Sequence, residues 1–133
     1  DFYNVDCKGK RAVVIGRSLV VGKPAAIMLM GKNATVTVCH TRTVDMPAVA
    51  RNAEILIVAA GSANAVTKEY LSPGQIVVDV GINMTADGKL CGDVKFDDAE
   101  PIVGAITPVP GGVGTVTTSV LVSHVVEAAK KSL

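Results

Sequence analysis

The 133-residue sequence predicts an α/β fold, a doubly wound parallel sheet, and three observations carry that prediction. The first is a strand-turn-helix stretch. Val13-Val14-Ile15 is a short β-branched run suited to a buried strand. Gly16 then permits a tight turn, Gly22 permits close backbone approach, and Pro24 falls in a first helical turn, where a missing N–H leaves nothing unpaired. The second is repetition: further apolar strands alternate with helical segments, which implies parallel strands covered on both faces. The third is composition, since 49% hydrophobic residues in a chain of this length suffice for one domain with its own core. Together they describe a Rossmann-like domain, residues 1–133.

Taken in order, residues 1–8 form a mixed lead-in without periodicity. The helix opening near Lys23 carries Ala25, Ala26, Ile27, Met28, Leu29 and Met30. It is apolar nearly all round and is expected to be buried against the sheet. Gly31-Lys32-Asn33 ends it. Ala34 to Cys39 alternates threonine and valine as a second strand, and Asp45 caps a short helix opened by Pro47. Ile55 to Ala59, entirely apolar, is a central third strand. A helical turn at Thr67 to Leu71 and a turn at Ser72-Pro73-Gly74 lead to a fourth strand, Ile76 to Asp79. Beyond it come a hairpin around Asp87-Gly88, a helical turn at Asp97 to Glu100, a short strand at Val103 to Ile106, and a closing amphipathic helix from Thr118 to Lys131.

Charge narrows the function. The 13 basic and 12 acidic residues are scattered, which gives no stripe for a nucleic acid. No apolar run has the length of a membrane span, and no secretory signal pattern opens the chain, so the expectation is a cytoplasmic protein. Three cysteines at wide spacing, with no C-x-x-C pair, fit neither a disulfide framework nor a zinc site, and no metal is expected.

In open parallel sheets ligands sit over the carboxyl ends of the strands. Gly16, Arg17, Ser18 and Gly22 follow the first strand, where helix-start amides and the helix dipole suit a pyrophosphate. The spacing departs from G-x-G-x-x-G, because Ser18 replaces the middle glycine and Gly22 falls one residue late; a ligand-free turn is the alternative. His40, Thr41, Arg42 and Thr43 follow the second strand. An acidic residue there holds the ribose 2′-hydroxyl of NAD, whereas a basic one accommodates the 2′-phosphate of NADP, so Arg42 favours NADP over NAD; a merely solvated loop is the alternative. Gly61 follows the third strand and lets a nucleotide approach the backbone. Ile82 follows the fourth, as a wall for a nicotinamide ring or as a core isoleucine. Asp79 is read as an organiser of backbone amides, and neither it nor Asp93, His40 or His124 is assigned a catalytic role. Thr107 to Thr117 holds two prolines and three glycines, a rigid loop with unobstructed amides.

Gly16-Arg17-Ser18 with Val21-Gly22-Lys23-Pro24, Cys39-His40, Asp79-Val80-Gly81-Ile82-Asn83, Gly92-Asp93-Val94, and Pro108-Val109-Pro110-Gly111-Gly112-Val113-Gly114 occur in the order seen in a known family. The segment from Gly9 onward resembles the C-terminal, nucleotide-binding domain of methylenetetrahydrofolate dehydrogenase/cyclohydrolase. The resemblance implies an enzyme that oxidises 5,10-methylenetetrahydrofolate with NADP and hydrolyses the methenyl product to 10-formyltetrahydrofolate. It implies phosphate and ribose contacts at Gly16, Arg17 and Ser18, and an adenosine-side phosphate contact at Thr41. It places the nicotinamide end at Ile82 and Thr117, and a junction with folate at Pro110, Gly111 and Gly112. It also implies a homodimer, a linker ending within residues 1–8, and a closing helix over 118–133 that returns toward an N-terminal domain.

Two departures matter. The family's proline after Gly-Gly-Val-Gly is replaced by Thr115, which is expected to leave the loop freer. The family's catalytic lysine and tyrosine, with most folate contacts, precede this segment. The chain begins at Asp1 and is expected to be a fragment that binds cofactor without turning over folate, with an apolar stripe exposed along Val120, Leu121, Val125 and Val126. Another doubly wound NADP dehydrogenase, shikimate-like, or a non-enzymatic NADP-binding module are the other functions the fold admits.

Overall fold

The structure is a computed structural model, and it describes residues 3–132. Asp1 and Phe2 of the lead-in and Leu133 of the closing segment lie outside the described residues. In chain order the elements are β1 (Arg11–Ile15), α1 (Gly22–Gly31), β2 (Thr35–Cys39), α2 (Met46–Arg51), β3 (Ile55–Val58), a 3₁₀ turn (Lys68–Tyr70), β4 (Ile76–Asp79), β5 (Asn83–Met84), β6 (Leu90–Cys91), α3 (Phe96–Ala99), β7 (Ala105–Ile106) and α4 (Val113–Ser132). Five strands form one parallel sheet in the order β2-β1-β3-β4-β7, and β5 pairs with β6 in a separate antiparallel hairpin. The chain steps from β1 outward to β2 and returns past β1 to β3. The winding therefore reverses between β1 and β3, and such a reversal opens a crevice at the carboxyl ends of those two strands.

Strand register builds the core. Val13 lies beside Leu56 and Leu56 beside Val77, while Ile15 lies beside Val58. These side chains share one face, closed by Ala50, Ala53, Val66, Leu71, Val94 and Ala99. Gln75 is buried there because its polar atoms are used: its amide donates to the carbonyls of Ala50 (2.7 Å) and Ala53 (3.0 Å), and its carbonyl accepts from Ser72 N–H (2.8 Å). One side chain thus joins the end of α2 to the start of β4.

The opposite face is less complete. There α1 lays Gly22 and Ala26, one helical turn apart, inward, but Ile27, Met28 and Met30 are 64%, 71% and 54% exposed. This corrects the expectation of a buried helix. A helix that touches a sheet along one narrow side needs only small residues there, and no element among the described residues covers its outer surface. Ile57, Ile76 and Val78 on this face stay half-buried, and α4 has no buried residue. The stripe Val120, Leu121, Val125 and Val126 is exposed, as expected.

The closing helix begins at Val113, not Thr118. In its first turns the threonine and serine hydroxyls are satisfied within the helix and do not compete with it: Thr117, Thr118 and Ser119 donate to the carbonyls four residues back. Asp45 does cap α2, accepting from Ala48 N–H at 3.3 Å, and the Asp87-Gly88 hairpin is present with Gly88 at φ +78°.

Candidate cofactor-binding site

At the end of β1, Gly16 takes φ +121° and its N–H donates to the Cys39 carbonyl. A β-carbon on Gly16 would stand 2.2 Å from the Ala59 carbonyl oxygen, and one on Gly22 would stand 2.2 Å from that of Gly16. Both glycines are required by backbone, which brings the β1 turn against the end of β3 at the winding reversal. Ser18, out of place by spacing, has a structural role: its hydroxyl oxygen accepts from Val21 N–H (3.0 Å) and Gly22 N–H (3.3 Å). A serine that draws in helix-opening amides does locally what a cap does, so the helix starts here without the middle glycine. Arg17 beside it is exposed.

The end of β2 is a tight turn closed by its own side chains. Thr43 Oγ1 accepts from His40 N–H at 2.9 Å, Thr43 N–H donates to the His40 carbonyl at 2.8 Å, and His40 Nδ1 accepts from Arg42 N–H at 3.2 Å. Half-buried His40 and Thr43 thereby shape the turn and leave Thr41 and Arg42 exposed at its tip. Among the described residues the Arg42 guanidinium has no ion-pair partner. Beneath the turn, burial pushes the Cys39 thiol above its ordinary range, with the Thr43 hydroxyl acting weakly against it, so Cys39 is an inert packing group.

Two buried carboxylates tie the remaining strand ends together. Asp79, the last residue of β4, accepts from the N–H groups of Gly81 (2.8 Å), Asp93 (3.1 Å) and Val94 (2.9 Å), the amide-organising role read from the sequence. Asp93 accepts from Gly61 N–H (2.8 Å), Ser62 N–H (3.0 Å) and the Asn83 side-chain amide (2.9 Å). Sequence reasoning gave Asp93 no role; the available signal was a charged residue set between Gly92 and Val94 in an otherwise apolar run.

The proline-glycine loop faces Ile82 across an open cleft of about 440 Å³, lined among others by Leu90, Pro110, Gly111, Gly112 and Thr118. Ile82 is 68% exposed on this wall, which removes the core-isoleucine alternative. Thr115 is tied back to the loop: its amide and hydroxyl both donate to the Gly112 carbonyl, at 3.2 and 2.7 Å. A proline could make neither bond, so the replacement substitutes hydrogen bonds for ring rigidity. Thr117 does not line the cleft; its hydroxyl donates to the Val113 carbonyl, and its neighbour Thr118 takes the lining position.

The predicted residues thus fall into two groups. Gly16, Arg17, Ser18 and Gly22 with His40 to Thr43 surround the ends of β1 and β2, whereas Ile82, Pro110, Gly111 and Gly112 enclose the cleft beyond β4. Gly61, fixed by Asp93, stands at the end of β3 between them. At Gly61 and Gly111 a β-carbon would meet open space, so backbone there is accessible to a ligand. No group of three metal-ligating side chains exists among the described residues.

A parallel sheet with a glycine turn at its winding reversal, a basic turn beside it and an apolar cleft beyond defines a dinucleotide-binding domain of the Rossmann class. The chain belongs to the tetrahydrofolate dehydrogenase/cyclohydrolase family, whose NAD(P)-binding domain matches residues 1–133. Bifunctional protein FolD of Carboxydothermus hydrogenoformans is 60% identical over 131 residues, which is 97% of this chain and 46% of that protein. The crystal structure of the bifunctional FolD methylenetetrahydrofolate dehydrogenase/cyclohydrolase from Campylobacter jejuni is 46% identical with a TM-score of 0.94, over 99% of this chain and 47% of that one. The Trypanosoma brucei methylenetetrahydrofolate dehydrogenase-cyclohydrolase, solved with NADP cofactor and an inhibitor, is 40% identical with a TM-score of 0.91, over 98% and 47%. The chain therefore spans about half the length of the relatives it matches.

Proposed function

We propose that this chain is the NADP-binding half of a bifunctional enzyme that oxidises 5,10-methylenetetrahydrofolate and hydrolyses the methenyl product to 10-formyltetrahydrofolate. Arg42 is the observation that carries the cofactor choice. It stands exposed at the tip of the β2 turn with no ion-pair partner among the described residues, where an NAD-selective site has a carboxylate. The following acid, Asp45, is engaged as the cap of α2, accepting from Ala48 N–H. Support for the folate chemistry comes from the family match and from solved structures described as methylenetetrahydrofolate dehydrogenase/cyclohydrolase.

In this reading Gly16, Arg17 and Ser18 hold phosphates and ribose, Gly22 lets the helix start approach them, and His40, Thr41, Arg42 and Thr43 frame the adenosine 2′-phosphate. Gly61 passes the backbone close to the nucleotide, Ile82 backs the nicotinamide, Thr118, which lines the cleft where Thr117 does not, lies near its ribose, and Pro110, Gly111 and Gly112 meet folate. When bound, NADP supplies the acceptor for a hydride from the methylene carbon. This chain contributes orientation of one nicotinamide face against the apolar wall of the cleft, the protein's share of cofactor chemistry. Proton transfer belongs to a lysine and tyrosine in an N-terminal domain, toward which α4 returns; residues 1–8 are the end of the linker to it. The full protein is a cytoplasmic homodimer.

Titration with NADP and NAD tests the cofactor claim. NADP is expected to bind the more tightly, and Arg42→Ala should weaken NADP by about tenfold or more while leaving NAD nearly unchanged, the effect of losing a charge-assisted phosphate contact. Equal affinity for both nucleotides before mutation overturns the assignment.

A further inference from the structure

Asp79 and Asp93 are 3% and 0% exposed, and neither belongs to the phosphate or adenosine end of the site. Each receives three hydrogen bonds, and the donors come from different loops: the β3-end turn at Gly61 and Ser62, the β4-end segment at Gly81 and Asn83, and the strand leaving the hairpin at Asp93 and Val94. The loops are pressed onto the carboxylates. A β-carbon on Gly81 would stand 2.4 Å from Asp93 Cγ, and one on Gly92 would stand 1.9 Å from Asp79 Oδ2. Asp79 N–H also donates to Thr107 Oγ1 at 2.8 Å, directly before Pro108 opens the proline-glycine loop.

Two buried carboxylates in one cluster are a costly way to fill space, since an apolar plug of similar volume needs no desolvation of charge. Burial, and to a lesser extent the charge of Asp93, push the Asp79 carboxyl upward against its three amide donors. What the cluster achieves instead is geometric: acceptors with fixed directions hold three loops and the root of a fourth at one spacing.

We propose that Asp79 and Asp93 are positioning residues for the nicotinamide end of the cofactor, holding the Gly61 turn, the Ile82 wall and the root of the proline-glycine loop at the spacing that sets the cleft. The inference rests on the reading of that cleft as the nicotinamide site. In Asp93→Asn one oxygen becomes an NH₂. Because Oδ2 serves Gly61 and Oδ1 serves both Ser62 and Asn83, either orientation sets a donor against a donor. The loops must separate, and the cleft changes width.

The test compares two ligands on this chain. Adenosine 2′,5′-bisphosphate reads the β1 and β2 turns alone, whereas NADP reads those turns and the cleft. Asp93→Asn is expected to lower NADP affinity about tenfold and to leave the bisphosphate within about twofold. Asn83→Ala removes one donor from a half-buried position without stranding a charge, and serves if Asp93→Asn does not fold; it should show the same split at about threefold. Parallel loss of both ligands overturns the proposal by showing general destabilisation, as does NADP affinity unchanged in both variants. A parent chain that binds the bisphosphate as tightly as NADP overturns the cleft assignment and this proposal with it, and one that binds neither overturns the cofactor reading itself.

Discussion

Glu54 joins the N-terminal side of the sheet to the start of β1, and its ionisation gives a signed prediction. Lys10 Nζ donates to its Oε1 at 2.9 Å and Arg11 N–H to its Oε2 at 3.1 Å, and these two bonds hold its carboxyl below the ordinary carboxylate range. A lowered folded value means that the unfolded chain takes up this proton first on acidification. The stability from Glu54 is therefore fully present above about pH 4.3 and is lost as pH falls through the lower folded value. Asp79 has the opposite sign, because burial raises its folded value, and its neutral form favours folding below the ordinary carboxylate range. Urea midpoints of the parent and Glu54→Gln across that range separate the two. The parent should be the more stable near neutrality, and the difference should close in acid; a difference independent of pH would remove Glu54 as its source. At this scale the chain was legible where a residue's own backbone decided the matter, as at Gly16 and Gly22, and opaque where partners are distant. Asp93 meets Gly61 and Ser62 from more than thirty residues away, and no local pattern encodes that.

Strands and helices were legible from periodicity, but their burial was only half so. β1 after Arg11, and β3 throughout, are apolar runs and lie mostly buried in the inner part of the sheet, as parallel strands do. α1 and α4 carry apolar residues such as Ile27, Met28, Leu121 and Val125 on exposed surfaces, since apolarity records what a helix can contact and not which contact is present. The start of α4 was missed for a local reason, because Gly114 and three hydroxyl residues look like loop while their hydrogen bonds close back into the helix. The contrast predicts an asymmetric response to substitution. Leu121→Glu with Val125→Glu should leave the unfolding free energy of this chain within about 0.5 kcal/mol, as surface changes do. Leu56→Ala, at a fully buried position in β3, should cost about 2–5 kcal/mol through lost burial and a cavity. Chemical denaturation of both variants decides it, and a large loss from the α4 pair would mean that this stripe is packed in the folded chain.

For the whole molecule, one sheet face is closed by a continuous core and the other is covered only in part, so a ligand that bridges strand ends adds a sizeable share of the total stability. NADP in this site would span the β1 and β2 turns, the Gly61 turn and the Ile82 cleft, contacting loops that the sheet itself does not cross-link. Binding to the folded chain alone stabilises by mass action, about 2.7 kcal/mol at a ligand concentration one hundred times Kd, which for a chain of this size is a Tm increase on the order of 10 °C. NAD at the same concentration should give a smaller rise, because its larger Kd lowers the ratio that enters the logarithm. Arg42→Ala should bring the NADP curve down toward the NAD curve while leaving the ligand-free Tm within about 2 °C, since Arg42 is exposed and unpaired among the described residues. A ligand-free Tm that falls as far as the liganded one would make Arg42 a structural residue. Equal shifts for both nucleotides in the parent would place the dinucleotide, if bound at all, away from the β2 turn.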